Sequence, residues 1–401
     1  MAVSTAVRRC ESNKGFKHMG KKINTILAAG FIAGTAVMGV GTVYTLWGTP
    51  LSELSSAVGD EVFGKNTFIS YYGLTQRLLG KRQILDSSET ENVTRLNNGW
   101  LTFTYPEFDG TQYAENTAEF QQWLAERGIP FLYVETPFKV SKYDPQLPLG
   151  VEDYNNSNAD LFLSVLAEKQ VPYMDLREVM REQGLDHYEM FNRTDHHWTS
   201  EASFWCFQQL YPAICDTQGE TVNQALLAEE SYQWTTYEDI FLGSEGRRAG
   251  IPYGGMDDFT VITPLFETSI RVSRPYESRK SRREAEGTFE ETLLHTEILE
   301  REDVYNRACD DVYGSNYALQ VTENLDETVS DKTILVLKDS FGRPVVDFLA
   351  NAFREVHAVD LRKLTDVGIR EYVQEIEPDM VIVLYNPGQL RESQGVIYTF
   401  E

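Results

Sequence analysis

The last third of the chain alternates unbroken aliphatic runs with amphipathic stretches, and this alternation limits the fold more than any other feature. Thr333–Leu337 (TILVL) and Met380–Leu384 (MVIVL) are continuous apolar runs, typical of strands covered on both faces. Pro344–Phe353 is predicted as a helix with proline in its first turn, and Ile369–Ile376 as a helix that Pro378 ends. Strands that alternate with helices predict a parallel sheet in a three-layer α/β/α domain.

The same alternation is present earlier in the chain. A helix is predicted over Asn116–Arg127 with Asn116 as its N-cap, followed by a strand over Phe131–Glu135. A second helix over Asn158–Gln170 precedes a strand over Val171–Leu176. The stretch of about 218–328 breaks this order with aromatic residues and alternating runs, so it is predicted to be a β-rich insertion.

The N-terminus has the features of a membrane anchor. Residues 1–22 contain six Lys/Arg and a single acid, and Ile26–Trp47 then runs for 22 residues without a charge. As a helix, such a run spans about 33 Å, enough to cross a hydrocarbon core. The positive-inside rule predicts residues 1–22 as a cytoplasmic tail, 23–48 as a single-pass transmembrane signal-anchor, and the bulk outside the cytoplasm. A cleaved signal peptide is the alternative.

Charge and cysteine content exclude several classes of protein. The formal net charge is −25, and the basic tail means that the negative charge lies beyond residue 22, which argues against nucleic-acid binding. We predict a stalk or linker over 49–95 and the globular domain over 96–401. The four cysteines show no metal-binding spacing, and one disulfide among Cys206, Cys215 and Cys309 stays open.

A serine directly follows one predicted strand. Lys338-Asp339-Ser340-Phe341-Gly342 comes immediately after TILVL and before a helix. Ligands of open α/β sheets bind beyond the carboxyl ends of the strands, and amides of the following helix can receive an oxyanion there. Ser340 is therefore a candidate nucleophile, although a serine at this position can also serve only as a helix N-cap.

A histidine pair supplies a candidate base. In Asp195-His196-His197-Trp198, residues two apart on an extended segment face the same side, so Asp195 and His197 are predicted together and His196 to point away. A serine needs such a base, and the imidazole needs an orienting acceptor. A hydrogen-bonded surface histidine pair is one alternative. A zinc site is another, but the sequence lacks further spaced ligands nearby, so no metal is predicted.

These motifs together resemble the DHHW family, SGNH-hydrolase-like proteins related to the alginate O-acetylation acetyltransferases. The resemblance covers about residue 97 to the end. Besides the two motifs above, the matching stretches are Thr136–Lys139 (TPFK), Phe241–Arg248 (FLGSEGRR), Asp257–Phe259 (DDF), Asp360–Arg362 (DLR) and Pro378–Pro387 (PDMVIVLYNP).

The resemblance implies an SGNH-like α/β/α fold, circularly permuted so that the Asp-x-His element precedes the serine. It implies a Ser–His–Asp triad with Ser340 as nucleophile, His197 as general base and Asp195 as the residue that orients it. Ordinary SGNH hydrolases have glycine before Asp-Ser at the nucleophile, whereas this chain has Lys338. Asn386 and Gly342 are the candidates for the oxyanion site.

Three basic side chains are further candidates for substrate contacts. Lys139 follows a predicted strand and could line the rim of the same site, or could be a surface lysine. Arg247 and Arg248 lie in a glycine-rich loop and could bind a uronate, phosphate or carboxylate, or could form a simple charged turn.

The sequence thus predicts an extracytoplasmic, membrane-anchored O-acetyltransferase or acetylesterase. Its acceptor would be a cell-surface glycan or exopolysaccharide, and no cofactor is expected. The resemblance also implies a membrane-bound O-acyltransferase as the supplier of acyl groups. The alternative is a catalytically inactive glycan-binding or scaffold protein of a polysaccharide-modification complex.

Overall fold

The computed structural model describes residues 29, 32–34, 36–44, 47, 63–84, 92–277 and 283–401, and the chain divides into two units, residues 1–71 and 72–401. The predicted cytoplasmic tail, residues 1–22, lies outside the described residues, and so does part of the predicted anchor, residues 23–48. Residues 32–34 and 36–44 are helical. Within the described ranges, the search for a helix with the length and apolarity to cross a bilayer finds none.

The second unit is built on an eight-stranded sheet in the order β5-β4-β13-β11-β12-β10-β8-β9. The five strands from β5 to β12 pair in parallel, whereas β10, β8 and β9 continue the sheet in antiparallel pairs. Separate pairings join β1-β2-β3 and β6-β7. The strands are β1 Gln83–Ile84, β2 Val93–Arg95, β3 Leu101–Thr102, β4 Phe131–Glu135, β5 Tyr173–Asp175, β6 Tyr232–Phe241, β7 Asp257–Pro264, β8 Ile270–Ser273, β9 Glu284–Gly287, β10 Leu319–Asn324, β11 Ser330–Lys338, β12 Phe353–Val359 and β13 Met380–Tyr385.

The described residues form the helices α1 Lys65–Leu78, α2 Thr111–Ala125, α3 Asn155–Glu168, α4 Leu176–Glu182, α5 Ser200–Gln218, α6 Gln224–Leu227, α7 Ser244–Ala249, α8 Ile251–Gly254, α9 Phe289–Leu293, α10 Arg343–Leu349 and α11 Ile369–Ile376. Helices α5 and α10 lie on one face of the eight-stranded sheet, and α2, α3 and α11 lie on the other. Short 3₁₀ turns complete the connections, among them Ser340–Gly342 and Cys309–Tyr313.

Alternate residues of the central strands pack into two different hydrophobic cores. On β11, Ile334 and Val336 join the core that contains α5 and α10, while Leu335 and Leu337 join the core that contains α2, α3 and α11. This division follows from the two-residue period of a strand. It explains the unbroken aliphatic run, because each face of β11 needs apolar side chains. The predicted three-layer α/β/α architecture is therefore confirmed.

Several boundaries differ from the sequence prediction. The strand Phe131–Glu135 and the helix Ile369–Ile376 agree with it, but α2 begins at Thr111 after Gly110, so Asn116 lies inside the helix. The sheet is mixed, since β8, β9 and β10 from the predicted insertion extend it past β12. Cys206, Cys215 and Cys309 are buried free thiols, which answers the open question of a disulfide.

Candidate active site

The predicted site residues gather at the carboxyl edge of the parallel strands. Ser340 begins the turn that follows β11, Asn386 comes directly after β13, and Lys139 lies a few residues after β4. Because these strands are neighbours and parallel, their ends meet at one edge of the sheet. Open α/β sheets bind their ligands at this edge.

Asp195 and His197 form a direct pair. His197 Nδ1 lies 2.6 Å from Asp195 Oδ1, which also accepts the backbone N–H of His197 at 3.0 Å. The other carboxylate oxygen, Oδ2, accepts the backbone N–H of Ser244 at 2.6 Å. With both oxygens of Asp195 in use as acceptors, Nδ1 of the ring carries the proton, and Nε2 is left as the acceptor.

The surroundings set the charge of this pair. Burial opposes the charged form of Asp195, but the neighbouring His196 and His197 hold its carboxyl pKa well below the usual value. The pKa of His197 is lowered, first by burial and then by the charge of His196, although Asp195 acts in the opposite direction. His197 is therefore neutral at neutral pH, and its Nε2, buried and without a hydrogen-bond partner among the described residues, keeps a free lone pair.

His196 does not point away, contrary to the sequence prediction. Its ring centroid is 3.9 Å from that of His197, and its Nδ1 lies 3.0 Å from Ser244 Oγ and 3.6 Å from Asp195 Oδ1. Ser244 Oγ in turn donates to Glu245 Oε2 at 2.6 Å. Burial opposes protonation of His196, but Asp195 and Glu245 raise its pKa above the ordinary value. The strict alternation of an extended strand fails because the segment 194–197 is a bend.

His197 and Ser340 line one small cavity. It has a volume of about 20 Å³, and its other walls include Asn192, Trp198 and Arg343. Trp198 connects the segment of His197 to the turn of Ser340, since its indole Nε1 donates a hydrogen bond of 3.0 Å to the carbonyl oxygen of Phe341. The turn at Ser340 is also stabilised by Asp339, whose side chain accepts the N–H of Phe341 at 2.8 Å.

Asn386 forms hydrogen bonds with Asp339. Its side-chain Nδ2 donates to Asp339 Oδ2 at 2.6 Å, its backbone N–H donates to the same oxygen at 2.8 Å, and its Oδ1 accepts from Gly388. Asn386 therefore joins the loop after β13 to the turn that contains Ser340. An amide group carries two N–H donors, so the oxyanion role of Asn386 stays a prediction.

Lys139 is not on the rim of the site. It is 0% exposed, and its Nζ donates to the carbonyl oxygens of Leu101 at 2.7 Å and of Asp195. Burial lowers its pKa, against the pull of Glu245 and Asp195. Lys139 is thus a buried donor to the backbone carbonyl of Asp195. This corrects the predicted substrate contact.

The glycine-rich segment packs against Asp195. A Cβ on Gly243 would lie 2.2 Å from Asp195 Cβ and 2.5 Å from Asp195 Cα, so only glycine allows this approach. Arg247 and Arg248 follow on α7, half-buried, and the Arg248 guanidinium lies 4.8 Å from the Phe103 ring. Gly342 is also a packing residue, because a Cβ there would lie 2.8 Å from Lys338 Cβ.

Three charged residues near the site were missed by sequence reasoning. Arg343 donates to Asp310 Oδ2 at 2.9 Å, to Asp311 Oδ1 at 2.8 Å and to the carbonyl of Ser340 at 3.2 Å. Asp310 Oδ2 lies 3.9 Å from His197 Nδ1. Arg343 directly follows the motif that contains Ser340, but Asp310 and Asp311 lie in a stretch without strand or helix periodicity, so no sequence signal pointed to them.

Asp195, His196 and His197 also place one potential ligand atom each within 4.8 Å of one another, a set that can hold a metal ion. Their hydrogen bonds are those of a charge-orienting pair, however, because Asp195 accepts at both oxygens and His197 Nδ1 faces the carboxylate. The two oxygens of Asp195 and the Nδ1 of His197 are thus already used within the protein.

Comparison with known proteins identifies a related domain in part of the chain. Residues 98–241 match the family model described as "SGNH hydrolase-like domain, acetyltransferase AlgX", a range that contains Asp195 and His197 but not Ser340. No curated protein matches the sequence significantly. The match bears out the predicted resemblance to SGNH-hydrolase-like proteins over residues 98–241.

Solved structures share the fold. PatB1 from Bacillus cereus has a TM-score of 0.62 at 19% identity, with 78% of this chain and 100% of that chain covered. The same protein with a sulfonyl adduct gives 0.61 at 19%, with 77% and 99% covered. A DHHW family protein from Eubacterium siraeum gives 0.59 at 17%, with 79% and 96% covered. The chain is thus similar in fold to PatB1 and to a DHHW family protein, and its residues 98–241 resemble the SGNH hydrolase-like acetyltransferase domain.

Proposed function

We propose that this protein is a serine-dependent O-acetyltransferase or esterase that acts on a cell-surface polysaccharide outside the cytoplasm. One observation carries the proposal. The 2.6 Å contact between Asp195 and His197 leaves a buried imidazole Nε2 in the same cavity as Ser340. This is the order of acid, base and nucleophile that acyl transfer requires.

The proposed reaction runs in two halves. Ser340 Oγ gives its proton to His197 Nε2 and forms a bond to the carbonyl carbon of an acetyl donor, and the protonated ring then returns the proton to the leaving group. In the second half, Nε2 takes a proton from a sugar hydroxyl, whose oxygen attacks the acetyl-serine. The Ser340 ester bond breaks and Oγ regains a proton. With water in place of the sugar, the same steps give hydrolysis.

The size of the cavity supports a small acyl group. A volume of about 20 Å³ holds about one water-sized group, which suits a methyl better than a long chain. The carboxylate of Asp195 stabilises the imidazolium that forms in each half-reaction.

The first test is acetyl-ester hydrolysis by the full-length protein in detergent. Wild type is compared with Ser340→Ala, His197→Ala and His196→Ala. We expect hydrolysis to fall to background in the first two variants, and His196→Ala to remain active. Equal background rates in all four proteins would contradict the esterase half of the proposal and favour a glycan-binding role.

A covalent probe separates the nucleophile from the acyl donor. The full-length protein is incubated with a sulfonyl fluoride, and intact-mass and peptide analysis locate the adduct. We expect one adduct on Ser340 in wild type, none in Ser340→Ala, and slow labelling in His197→Ala, because the serine then lacks its base. Equal labelling of wild type and Ser340→Ala would remove Ser340 as the nucleophile.

The proposal places the protein at the membrane through residues 23–48, with a membrane-bound O-acyltransferase as the acyl supplier. The uncharged run Ile26–Trp47 after a basic tail supports this arrangement. The test is cell fractionation of the full chain beside a chain without residues 1–48. Retention of the full chain in carbonate-washed membranes and release of the shorter one is expected. Equal release of both would contradict the anchor.

A further inference from the structure

The cavity of His197 and Ser340 is too small for an acceptor sugar, so the acceptor must lie in adjoining space. Beside the cavity is a groove of about 530 Å³, a size typical of ligand sites. Groove and cavity share four wall residues, so the two spaces are adjacent. The shared residues are Asn192, Thr199, Ser200 and Phe259.

The groove is strongly acidic. Its lining contains five acids and one cation, Arg193, whose guanidinium lies 4.9 Å from the Trp100 ring. One acid, Asp257, is turned inward and accepts the backbone N–H of Thr194 at 2.8 Å. The other four are exposed: Glu189, Glu201, Asp239 and Asp258.

The groove also has a fixed aromatic wall. Trp100 is half-buried, and its indole Nε1 donates to the carbonyl oxygens of Tyr188 at 3.1 Å and of Phe191 at 3.3 Å. These bonds hold the ring in place at the groove. The Arg193 guanidinium lies over this ring, and the indole surface that it leaves exposed suits the apolar C–H face of a pyranose. Carboxylates accept hydrogen bonds from sugar hydroxyls.

An acidic surface alone does not identify a ligand. Here a second feature points to one, because the adjoining cavity contains His197, which is 8% exposed and whose Nε2 has no partner among the described residues. A hydroxyl bound in the groove and directed at this nitrogen would give the imidazole its missing hydrogen bond.

Resting on the proposed function, we infer that the acceptor bound in this groove is an oligosaccharide of neutral or amino sugars, and that polyuronates are rejected. A uronate beside Glu201 and Asp258 would face like charges at close range, whereas an ammonium group would be attracted. The groove therefore selects against an acidic polymer, even though the fold resembles an acetyltransferase of alginate-type systems.

Oligosaccharide binding by a variant without the proposed nucleophile tests this inference separately from catalysis. The full-length Ser340→Ala protein is titrated calorimetrically with cello-oligosaccharides, chitosan oligosaccharides and oligogalacturonates of equal length. We expect the neutral and amino oligosaccharides to bind at least about tenfold more tightly than oligogalacturonate, a difference that added salt reduces. Tighter or equal binding of oligogalacturonate, or no binding of any of the three, would overturn the inference.

Substitutions of groove residues test whether the binding preference for neutral oligosaccharides arises in the groove. In the Ser340→Ala protein, Trp100→Ala should weaken binding of the neutral oligosaccharide about tenfold or more, as expected for loss of a stacking ring. Glu201→Gln with Asp258→Asn should narrow the discrimination against oligogalacturonate, and Glu201→Lys with Asp258→Lys should reverse it. Glu168→Gln removes one negative charge from an exposed position on α3 outside the groove and should leave the discrimination unchanged.

Ester hydrolysis by wild type keeps the two proposals apart. Hydrolysis that depends on Ser340, combined with tight oligogalacturonate binding, would overturn the acceptor class and leave the catalytic proposal standing. Selective binding of neutral oligosaccharides by a protein that never labels or hydrolyses through Ser340 would support the groove and overturn the catalytic proposal.

Discussion

The indole Nε1 of Trp198 donates a hydrogen bond of 3.0 Å to the carbonyl oxygen of Phe341, 143 residues away in the chain. The two rings also pack, with centroids 5.5 Å apart. Trp198 directly follows His197, and Phe341 directly follows Ser340, so this single contact joins the proposed base to the proposed nucleophile. The tryptophan of the motif thus connects the two motifs.

Trp198→Phe should separate the hydrogen bond of Trp198 to Phe341 from the packing of the two rings. The ring packing is kept, but the carbonyl of Phe341 loses its donor in a buried place, which should cost about 1–3 kcal/mol of unfolding free energy. Chemical denaturation measures that loss, and ester hydrolysis should show a lower kcat at little change in KM. A variant with unchanged stability and kcat would contradict the coupling.

The pH profile should report His197. Its pKa is lowered by burial and by the charge of His196, so the acid limb of kcat/KM for ester hydrolysis should lie below 6.5, the ordinary value for histidine. His196→Gln removes the neighbouring charge, which is present in this range because the pKa of His196 is raised. The acid limb should therefore move to higher pH. A shift to lower pH, or none, would rule out this electrostatic coupling.

Gly243→Ala should disturb Asp195. The new Cβ would overlap Asp195 Cα and Cβ, and a displacement of the carboxylate of about 1 Å can reduce catalysis about 100-fold. Gly110→Ala is the matched control, because its new Cβ would meet Leu390 at an ordinary 3.5 Å. Hydrolysis rates and thermal unfolding of both variants are compared with wild type. Equal activity in the two variants would refute the steric requirement.

Lys139→Met should act through stability and positioning. Leu101 and Asp195 would lose the donor to their carbonyl oxygens, and two buried acceptors without partners cost about 2–4 kcal/mol. Lys142→Met is the control, since Lys142 only forms partly exposed ion pairs with Asp160 and Glu178, worth under about 1 kcal/mol. Urea unfolding distinguishes them. A Lys139→Met protein as stable as wild type would contradict the supporting role.

The cavity of His197 and Ser340 should limit the length of the acyl group that the protein accepts. Esters of acetate, butyrate and octanoate with one leaving group should be hydrolysed in that order, with a steep fall after acetate, since about 20 Å³ holds about one water-sized group. Activity that rises with chain length would show that the acyl group occupies another space.

The sequence by itself determined the layered fold and the place of the site. The aliphatic runs at β11 and β13 must be covered on both faces, and residues that follow parallel strands must meet at one edge. Asp195 and His197 were also predicted to pair, and they do so across a bend rather than by the alternation of an extended strand, because the contact is local.

The tertiary structure alone decided how the surrounding residues act. Lys139 and Asn386 follow strands as the candidates for the site do, yet packing buries one behind Asp195 and joins the other to Asp339. Ser244 reaches Asp195 across 49 residues, and Arg343 reaches Asp310 from a turn to an irregular stretch. Local periodicity fixes the face on which a side chain lies, but its partners depend on which distant segments the folded core brings against it.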